Sequence, residues 1–454
     1  MSRKFEWLPR TSFCRALLIG VLITSLGAGC TFGIGLKKDN TPIETRGAEP
    51  MRTPIYEHAG WTIARASFHN HTIYSDGCRT PEDLLELARM QGMAVLSYND
   101  HREGEICAGK NGLVCARVGG IENYGYAEYF GHLGKIQKTA AEQNMIVLKG
   151  IEVIPYFYNY GKSPNIVLDG LQHHFTVYNI EDESIFEEMP VRGMVTLKPE
   201  QKPDAKPWAD FVDYITEKGG IVHAVHVEAG EDRWYGPAHG ACPPVPNNIH
   251  DLKNLTGFSV LPDAFRAEAG SPGGRWDTVL VEYLYGMRKK PLWTMGDADY
   301  HCSGSLAIAT TLLYMEEFTE EEVYRCMREG RMVALQGESF QDTYVTEWSI
   351  GDGSQAKDPI MHGEEVYLSR APLISFSLNK PVDGCRTRLV RNGVVIKEVE
   401  GTTLSFTDRE LAGREEPAFY RIEITGPVIE GEPYKSITMP ESKLFTNPIF
   451  VRFK

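Results

Sequence analysis

The chain has 454 residues, of which 42% are hydrophobic and 24% are charged, and this composition is typical of a globular protein with a sizeable core. The length is too great for one ordinary domain and suggests two or three. The net charge of -14 argues against nucleic acid or an anionic membrane surface as the main partner. Bound divalent cations would reverse this charge locally, so the composition still allows an anionic small-molecule substrate.

The N-terminal residues have the pattern of an export signal. Several basic residues precede the uncharged stretch 16–26, which leads to Cys30 in a context that resembles the cleavage box of a bacterial lipoprotein. We predict a signal peptide over residues 1–30, a lipid on Cys30 as the sole membrane attachment, and a polar linker over residues 31–60. The expected location is the periplasm or the cell envelope, including the outer membrane. An uncleaved anchor helix over residues 16–36 is the alternative.

The cysteine positions are compatible with an oxidising compartment. Cys107 and Cys115 bracket a glycine-containing loop and are the best disulfide candidates, with two free thiols as an equal alternative.

Between residues 61 and 340, short β-prone runs alternate with helical stretches. The predicted strands cover residues 62–68, 93–98, 145–154, 174–179, 220–226, 278–284 and 291–295. Strands separated by helices or long connections predict a parallel α/β fold, most simply a barrel. Residues 228–275 are rich in glycine and proline without clear periodicity, and we expect an inserted loop region there.

Two helix starts have clear capping signals. Thr80 stands directly before a Pro-Glu-Asp run, and Gly92 follows the helical pattern. Thr319 and Glu322 form a capping box for a helix that we expect to stop near Gly330.

Residues 341–454 have a different sequence pattern, in which β-prone runs are separated by turn residues. The predicted strands cover residues 373–378, 388–390, 394–399, 419–424 and 449–453. Asn392-Gly393 between two of these runs is a strong hairpin signal. We therefore predict a C-terminal all-β sandwich domain over residues 341–454.

Nine side chains of the types that bind metal ions accompany the predicted strands. They are His69, His71, Asp76, His101, Glu152, His174, His226, Asp299 and His301. His69 and His71 are two positions apart, as are Asp299 and His301, and residues with this spacing on a strand point to the same face. Barrel enzymes place their chemistry at the C-terminal ends of the strands, so we predict that these side chains meet in one metal site.

The motifs around these residues resemble those of the PHP (polymerase and histidinol phosphatase) superfamily, in the same order along the chain. They are His69-Asn70-His71-Thr72 with Ser75-Asp76-Gly77, Asn99-Asp100-His101, Gly150-Ile151-Glu152, His174 before Phe175, Gly219-Gly220 leading to His226, and Asp299-Tyr300-His301. The C-terminal region, with Val390-Arg391-Asn392-Gly393, resembles the branch that includes carbaryl hydrolases. The resemblance implies a distorted (β/α)7 barrel over residues 61–340, followed by the β-sandwich.

The resemblance also implies a centre of two or three divalent metal ions, and the mixed imidazole and carboxylate ligands suit Zn, Mn or Fe. One ion would lie on His69, His71, Glu152 and Asp299, a second would share Glu152 with His174 and His226, and a third would use Asp76, His101 and His301. Glu152 and Asp299 are the predicted catalytic ligands. Arg102 is a candidate clamp for an anionic substrate oxygen, with a solvated loop arginine as the alternative.

The predicted function is a metal-dependent hydrolase that uses a metal-bound hydroxide, most simply a phosphoesterase. The alternatives are carbamate, ester or amide hydrolysis by the same centre, and a surface binding protein whose metals are structural. We expect His173 and His223 to face away from the site, and Asp297 to support it from behind.

Overall fold

The computed structural model describes residues 30–33, 52–108, 114–117, 119–162, 165–180, 182–191, 194–195, 204–235, 238–245, 247–262, 264, 268–302, 304–353, 358–414, 416–428 and 441–454. The predicted signal peptide and most of the predicted linker lie outside these residues. In the part of the chain that is described, no helix combines the length and the apolar character needed to cross a membrane.

The α-helices of the described residues are α1 Pro81–Met90, α2 Tyr126–Glu142, α3 Lys206–Glu217, α4 Asn248–Asp251, α5 Arg275–Leu284 and α6 Glu320–Glu329. Two of them, α1 and α6, begin at a side-chain cap. The Thr80 hydroxyl accepts a hydrogen bond from the Asp83 amide (3.2 Å), and the Thr319 hydroxyl accepts one from the Glu322 amide (3.3 Å). Gly330 ends α6 with a left-handed φ of 75°, so both predicted helices are confirmed.

The strands are numbered in chain order. In the first part they are β1 Cys30–Gly33, β2 Ile55–His58, β3 Trp61–Ser67, β4 Val95–Tyr98, β5 Glu105–Ala108, β6 Val114–Arg117, β7 Ile146–Lys149, β8 Ile151–Val153, β9 Tyr158–Lys162, β10 Asn165–Asp169, β11 His174–Tyr178, β12 Met194–Val195, β13 Ile221–Val225, β14 Glu231–Tyr235, β15 Ala238–Cys242, β16 Gly257–Leu261 and β17 Trp293–Gly296. The remainder are β18 Ala309–Met315, β19 Met332–Gln336, β20 Val345–Gly351, β21 Glu365–Leu368, β22 Leu373–Leu378, β23 Arg386–Arg391, β24 Val394–Glu400, β25 Thr403–Thr407, β26 Ala418–Val428, β27 Glu441–Thr446 and β28 Ile449–Phe453.

The strands that precede the candidate ligands fall in two sheets. A five-stranded sheet has the order β17-β16-β13-β11-β8, and the main path of a twelve-stranded sheet ends with β18-β3-β4-β7. Isolated bridges join the two sheets, between Asn70 and Tyr300 and between His101 and Glu152. The chain therefore has a mixed α/β fold. Within the described residues its strands pair as separate sheets, and the bridges join them near both edge strands of the five-stranded sheet, β17 and β8, without regular pairing around a closed barrel.

The segment 278–284, which was predicted as a strand, forms the second part of helix α5, so that prediction is wrong. Its Val-Leu-Val run favours a strand locally. However, the buried residues Trp276, Val279, Leu280 and Leu284 are three or four positions apart, which places them on one side of a helix. Burial of that side outweighs the β propensity of the run.

The five-stranded sheet also differs from the predicted all-parallel arrangement. Strand β11 pairs antiparallel with both β8 and β13. Strand β16 lies between β13 and β17, although its residues belong to the predicted inserted loop region 228–275. The glycine and proline residues around β16 obscured its short apolar run, which the structure buries completely.

The C-terminal strands are present where they were predicted, and Asn392 and Gly393 have positive φ values of 49° and 86°, as a tight hairpin turn requires. They divide between the twelve-stranded sheet and a three-stranded sheet of β20, β22 and β25. A second hydrophobic core includes Trp348, Phe376 and Ile422 from these two sheets. Because β27 pairs with β19, the larger sheet is continuous across the predicted boundary at residue 340. The division into a barrel and a sandwich therefore stays a prediction.

His362, which packs beside the second hydrophobic core, makes the free energy of unfolding depend on pH. Its ring packs against Tyr314 with 4.6 Å between ring centroids, and neither ring nitrogen has a hydrogen-bond partner among the described residues. Burial lowers the pKa of His362 to about 3, whereas an unfolded histidine has a pKa of about 6.5. Between these values only the unfolded chain binds the proton, so the free energy of unfolding decreases as the pH falls.

We predict that His362→Leu weakens this acid sensitivity. From pH 7.5 to pH 5, the wild type should lose about 2 kcal/mol more unfolding free energy than the variant, because only the wild type takes up this proton. Urea unfolding of both proteins at the two pH values, with a chelator present throughout, measures the difference. Equal losses in the two proteins would show that His362 does not contribute.

Candidate metal centre

Three of the candidate ligands lie just beyond strand ends, where the backbone turns sharply. His69, His226 and Asp299 have φ values of 60°, 35° and 43°. This left-handed region is uncommon for residues other than glycine, costs about 1–3 kcal/mol per residue and is frequent at functional sites. The argument from strand alternation is therefore wrong in its mechanism, since it is these turns, past Ser67 and Gly296, that bring the paired residues together.

Backbone hydrogen bonds hold the turns of the two sheets against each other. The amide of His71 donates to the carbonyl of Tyr300 (2.8 Å), and the amide of Tyr300 donates to the carbonyl of His69 (3.1 Å). The amide of Arg102 donates to the carbonyl of Glu152 (2.8 Å). These bonds fix the turns relative to each other before any side chain contributes.

Glu152 is at the centre of the site, with 1% of its side chain exposed. The nitrogen atoms around its Oε1 are His174 Nδ1 at 2.8 Å, His226 Nε2 at 3.2 Å and His69 Nε2 at 3.2 Å. Those around its Oε2 are His101 Nδ1 at 3.0 Å and His71 Nε2 at 3.3 Å. Each oxygen thus faces its own set of imidazoles, as a carboxylate that bridges two cations requires.

His174 reaches this centre because its strand is antiparallel. It is the first residue of β11, and its partner in the neighbouring strand is Val225, directly before His226. The start of one strand and the end of the next therefore share an edge. The ring centroids of His174 and His226 lie 4.6 Å apart.

A second group of ligands surrounds Asp76, beside the Glu152 group. Asp76 Oδ2 lies 3.2 Å from His301 Nε2 and 3.7 Å from His101 Nε2, and Asp76 Oδ1 lies 3.4 Å from His71 Nδ1. One ligand atom from each of these four residues lies within 4.8 Å of those of the others. We call these residues the Asp76 group.

Asp299 connects the two groups. Its Oδ1 lies 3.5 Å from His69 Nε2, 3.6 Å from His71 Nε2 and 3.7 Å from His301 Nδ1. All nine predicted ligands are therefore in one cluster. The family resemblance implies that His101 serves one ion with Asp76, but in the structure His101 contacts both Glu152 and Asp76.

Several of the imidazoles are held by a second contact on the ring nitrogen away from the centre. His174 Nε2 donates to the carbonyl of Leu171 (2.9 Å), while Nδ1 faces Glu152 Oε1 at 2.8 Å, an oxygen that can only accept. His69 Nδ1 lies 3.3 Å from Asp297 Oδ2, and the hydroxyl of Ser259 donates to that same oxygen. Asp297 thus supports His69 as predicted, an arrangement that orients ligating histidines in metal sites.

The electrostatics show that this cluster needs positive charge. Burial alone would raise the pKa of Glu152, but His101, His69 and His174 hold it well below the usual range. Burial opposes protonation of His101, yet Glu152 and Asp76 raise its pKa to about 10. For His301, Asp76 and Asp299 overcome burial and raise the pKa to about 9. Bound cations would supply the same charge and displace these protons.

The residues fit divalent metal ions. Buried atoms that lack a hydrogen-bond partner among the described residues include His69 Nε2, His71 Nε2, Asp76 Oδ1 and Glu152 Oε2, and all of them point into the cluster. Unsatisfied buried polar atoms are costly, whereas imidazole nitrogen and carboxylate oxygen are the usual ligands of Zn, Mn and Fe. The cluster is therefore a candidate centre for more than one divalent cation.

Arg102 is positioned by other residues. Its guanidinium lies 2.6 Å from Glu122 Oε1 and 3.5 Å from Glu103 Oε1, and its Nε donates to the hydroxyl of Tyr126 (3.1 Å). These contacts connect the loop after β4 to the start of α2. They are consistent with a structural role, and the role as a substrate clamp stays a prediction.

The other histidines lie apart from the cluster. His173 packs on Trp208 with 4.7 Å between ring centroids, and His223 Nδ1 lies 3.0 Å from the sulfur of Met295. Burial lowers the pKa of His223 to about 3, so this ring is neutral in the core. Both observations agree with the prediction that these residues face away.

Sequence reasoning missed two features that shape the site. Asp100 accepts hydrogen bonds from the Thr72 amide (2.7 Å), the Thr72 hydroxyl (2.9 Å) and the Ser75 hydroxyl (2.7 Å), and thereby holds the loop that bears Asp76. The sequence signal that could have identified Asp100 is its position directly before the candidate ligand His101.

The second missed feature is a disulfide between Cys78 and Cys302, which are separated by 224 positions. The predicted pair, Cys107 and Cys115, are register partners on β5 and β6, but their side chains lie outside the described part of the structure. Such a long separation gives no local sequence signal.

Comparisons with known proteins give weak similarities only. No family model and no curated protein matches the chain. Among solved structures, a two-domain protein from Bacteroides vulgatus containing a predicted PHP-like metal-dependent phosphoesterase is 12% identical, covers 89% of this chain and 98% of its own, and has a TM-score of 0.40. A proposed metal-dependent phosphoesterase from Bifidobacterium adolescentis is 13% identical, covers 52% of this chain and 87% of its own, and has a TM-score of 0.27. An amidohydrolase from Chromobacterium violaceum is 14% identical, covers 53% of this chain and 89% of its own, and has a TM-score of 0.28. These TM-scores assign neither a family nor a reaction.

We predict that His174→Gln lowers the metal affinity of the protein by at least about 10-fold, because the imidazole nitrogen beside Glu152 is lost. His173→Gln is the matched control, since the adjacent ring packs on Trp208 instead. Elemental analysis after dialysis against a graded chelator series measures both variants. Equal metal retention by the two would contradict the placement of His174 in the centre.

Proposed function

We propose that the protein is a metal-dependent hydrolase that acts on phosphate esters. The observation that carries this proposal is the buried Glu152 carboxylate, whose two oxygens face separate sets of imidazoles at 2.8–3.3 Å. Divalent cations held there would lower the pKa of a bound water and stabilise negative charge that develops on the substrate. The substrate class follows from the motif resemblance to the PHP superfamily.

The protein's own residues would perform three tasks in this reaction. Glu152 and Asp299 hold the ligand set together, since each of them contacts several imidazoles. Asp297 and the carbonyl of Leu171 keep the rings of His69 and His174 in one orientation. The exposed edge of the cluster, at Asp76 and His301, provides the approach for substrate, because the remaining ligands are nearly inaccessible.

The barrel prediction belongs to the same proposal. The bridges between Asn70 and Tyr300 and between His101 and Glu152 join the two sheets at the ligand-bearing edge. This arrangement supports a distorted barrel in which strand ends converge on the centre and in which some neighbouring strands lack regular pairing.

A second candidate reaction is hydrolysis of a carbamate, ester or amide. Arg102, the predicted clamp for an anionic oxygen, already contacts Glu122 and Tyr126. A substrate without a phosphate charge needs no such clamp. The C-terminal resemblance to the carbaryl-hydrolase branch supports the same alternative.

We predict hydrolysis of p-nitrophenyl phosphate or bis-p-nitrophenyl phosphate by protein loaded with Mn or Zn. Glu152→Gln should reduce turnover at least about 100-fold, because the variant keeps the shape of the side chain but loses the bridging charge. His173→Gln should retain activity. The measurement is p-nitrophenolate release at matched metal concentration.

The same panel decides between the candidate functions. Turnover of 1-naphthyl N-methylcarbamate without phosphatase activity would replace the first reaction with the second. Absence of hydrolysis on all three substrates by metal-loaded protein would favour a surface binding protein with structural metals.

A further inference from the structure

The Asp76 group is the least protected part of the centre. The side chains of Asp76 and His301 are 22% and 17% exposed, whereas those of His69 and His71 are fully buried and that of Glu152 is 1% exposed. Packing against the core therefore holds the Glu152 ligands in place. Asp76 and His301 are on loops at the solvent edge, where packing contributes less.

The disulfide joins these two loops. Cys78 follows Asp76 by two positions, and Cys302 is the residue after His301. The amide of Cys78 donates to the carbonyl of His301 (3.0 Å), and Arg79 Nε donates to the hydroxyl of Tyr300 (2.8 Å). The covalent bond thus joins the loops at the point where their ligands meet, with 3.2 Å between Asp76 Oδ2 and His301 Nε2.

We infer that the Cys78–Cys302 disulfide is a positioning element for one cation: it keeps Asp76 and His301 at ligand distance, so that the Asp76 group retains its ion only in the oxidised protein. This inference rests on the metal centre of the proposed function and adds a redox dependence to one part of it. The Glu152 group needs no such cross-link, because its ligands are buried and its turns are joined by backbone hydrogen bonds.

The chemistry of the switch is thiol–disulfide exchange. A dithiol reductant transfers two electrons and two protons, the S–S bond breaks to give two cysteine thiols, and the reductant becomes a disulfide. A small-molecule disulfide oxidant reverses the exchange. The oxidised form belongs to compartments outside the cytosol, where the predicted export would place the protein.

The test uses the full-length folded protein and Mn²⁺, a cation that prefers oxygen and nitrogen ligands to thiolates. Wild type, Cys78→Ser/Cys302→Ser and the control Cys385→Ser, which changes a buried free cysteine, are stripped with chelator and titrated with Mn²⁺. Bound Mn²⁺ per chain and the affinity of each class of site are measured by electron paramagnetic resonance and elemental analysis. Circular dichroism verifies that each protein is folded.

The expected result is that the double serine variant loses one class of Mn²⁺ or binds it at least about 10-fold more weakly, while the Glu152 class is unchanged. Asp76→Asn should lose the same class, and adding the serine changes to Asp76→Asn should cause no further loss. A disulfide with only a stabilising role would not give this non-additive pattern.

Equal stoichiometry and affinity in wild type and the double variant, with only a lower melting temperature, would overturn the inference. Absence of Mn²⁺ binding in both proteins would overturn the metal centre itself, and the inference with it. If the double variant does not fold, the same titration is made on folded wild type after dithiol reduction and alkylation. Unchanged Mn²⁺ binding in that protein would again reject the inference.

Discussion

The structure depends on one buried carboxylate. Glu152 is almost inaccessible to water and is surrounded by five imidazoles, and Asp299 lies close to two of them and to His301. A buried negative charge is unfavourable unless positive charge and hydrogen bonds surround it. Protons on the histidines can provide that charge, and so can divalent cations. Only cations also satisfy the nitrogen and oxygen atoms that face the centre without a hydrogen-bond partner in the described part of the chain, since repulsion between several protonated rings opposes full protonation.

The fold places these groups by means that carry a cost in stability. Three ligands adopt left-handed backbone conformations, and such strain persists only where the surrounding structure enforces it. Here the enforcement comes from backbone hydrogen bonds between turns of two sheets, from Asp100, which holds the loop before Asp76, and from the disulfide. The ligands are therefore preorganised by contacts that are independent of any bound ion, which reduces the reorganisation needed on binding.

The sequence predicted the clustering of the ligand-type side chains better than it predicted the fold. The ligand types and their order were visible because most of them follow a short apolar run, as His101 follows β4, whereas Glu152 lies within β8 and His174 begins β11. Residues 278–284, in the second part of helix α5, are predicted as a strand, because the spacing of the buried residues becomes decisive only when the partner surface is known. The antiparallel direction of β11 and the Cys78–Cys302 bond depend on contacts between residues distant in the chain, and local patterns do not encode them.

The most direct test of the centre is anomalous diffraction from crystals of the protein soaked with Mn²⁺ or Zn²⁺. The present account predicts anomalous peaks on both sides of the Glu152 carboxylate, each within about 2.0–2.3 Å of one of its oxygens and of imidazole nitrogens from the surrounding histidines. Fully occupied metal peaks elsewhere on the molecule, with none beside Glu152 under the same soak, would contradict it.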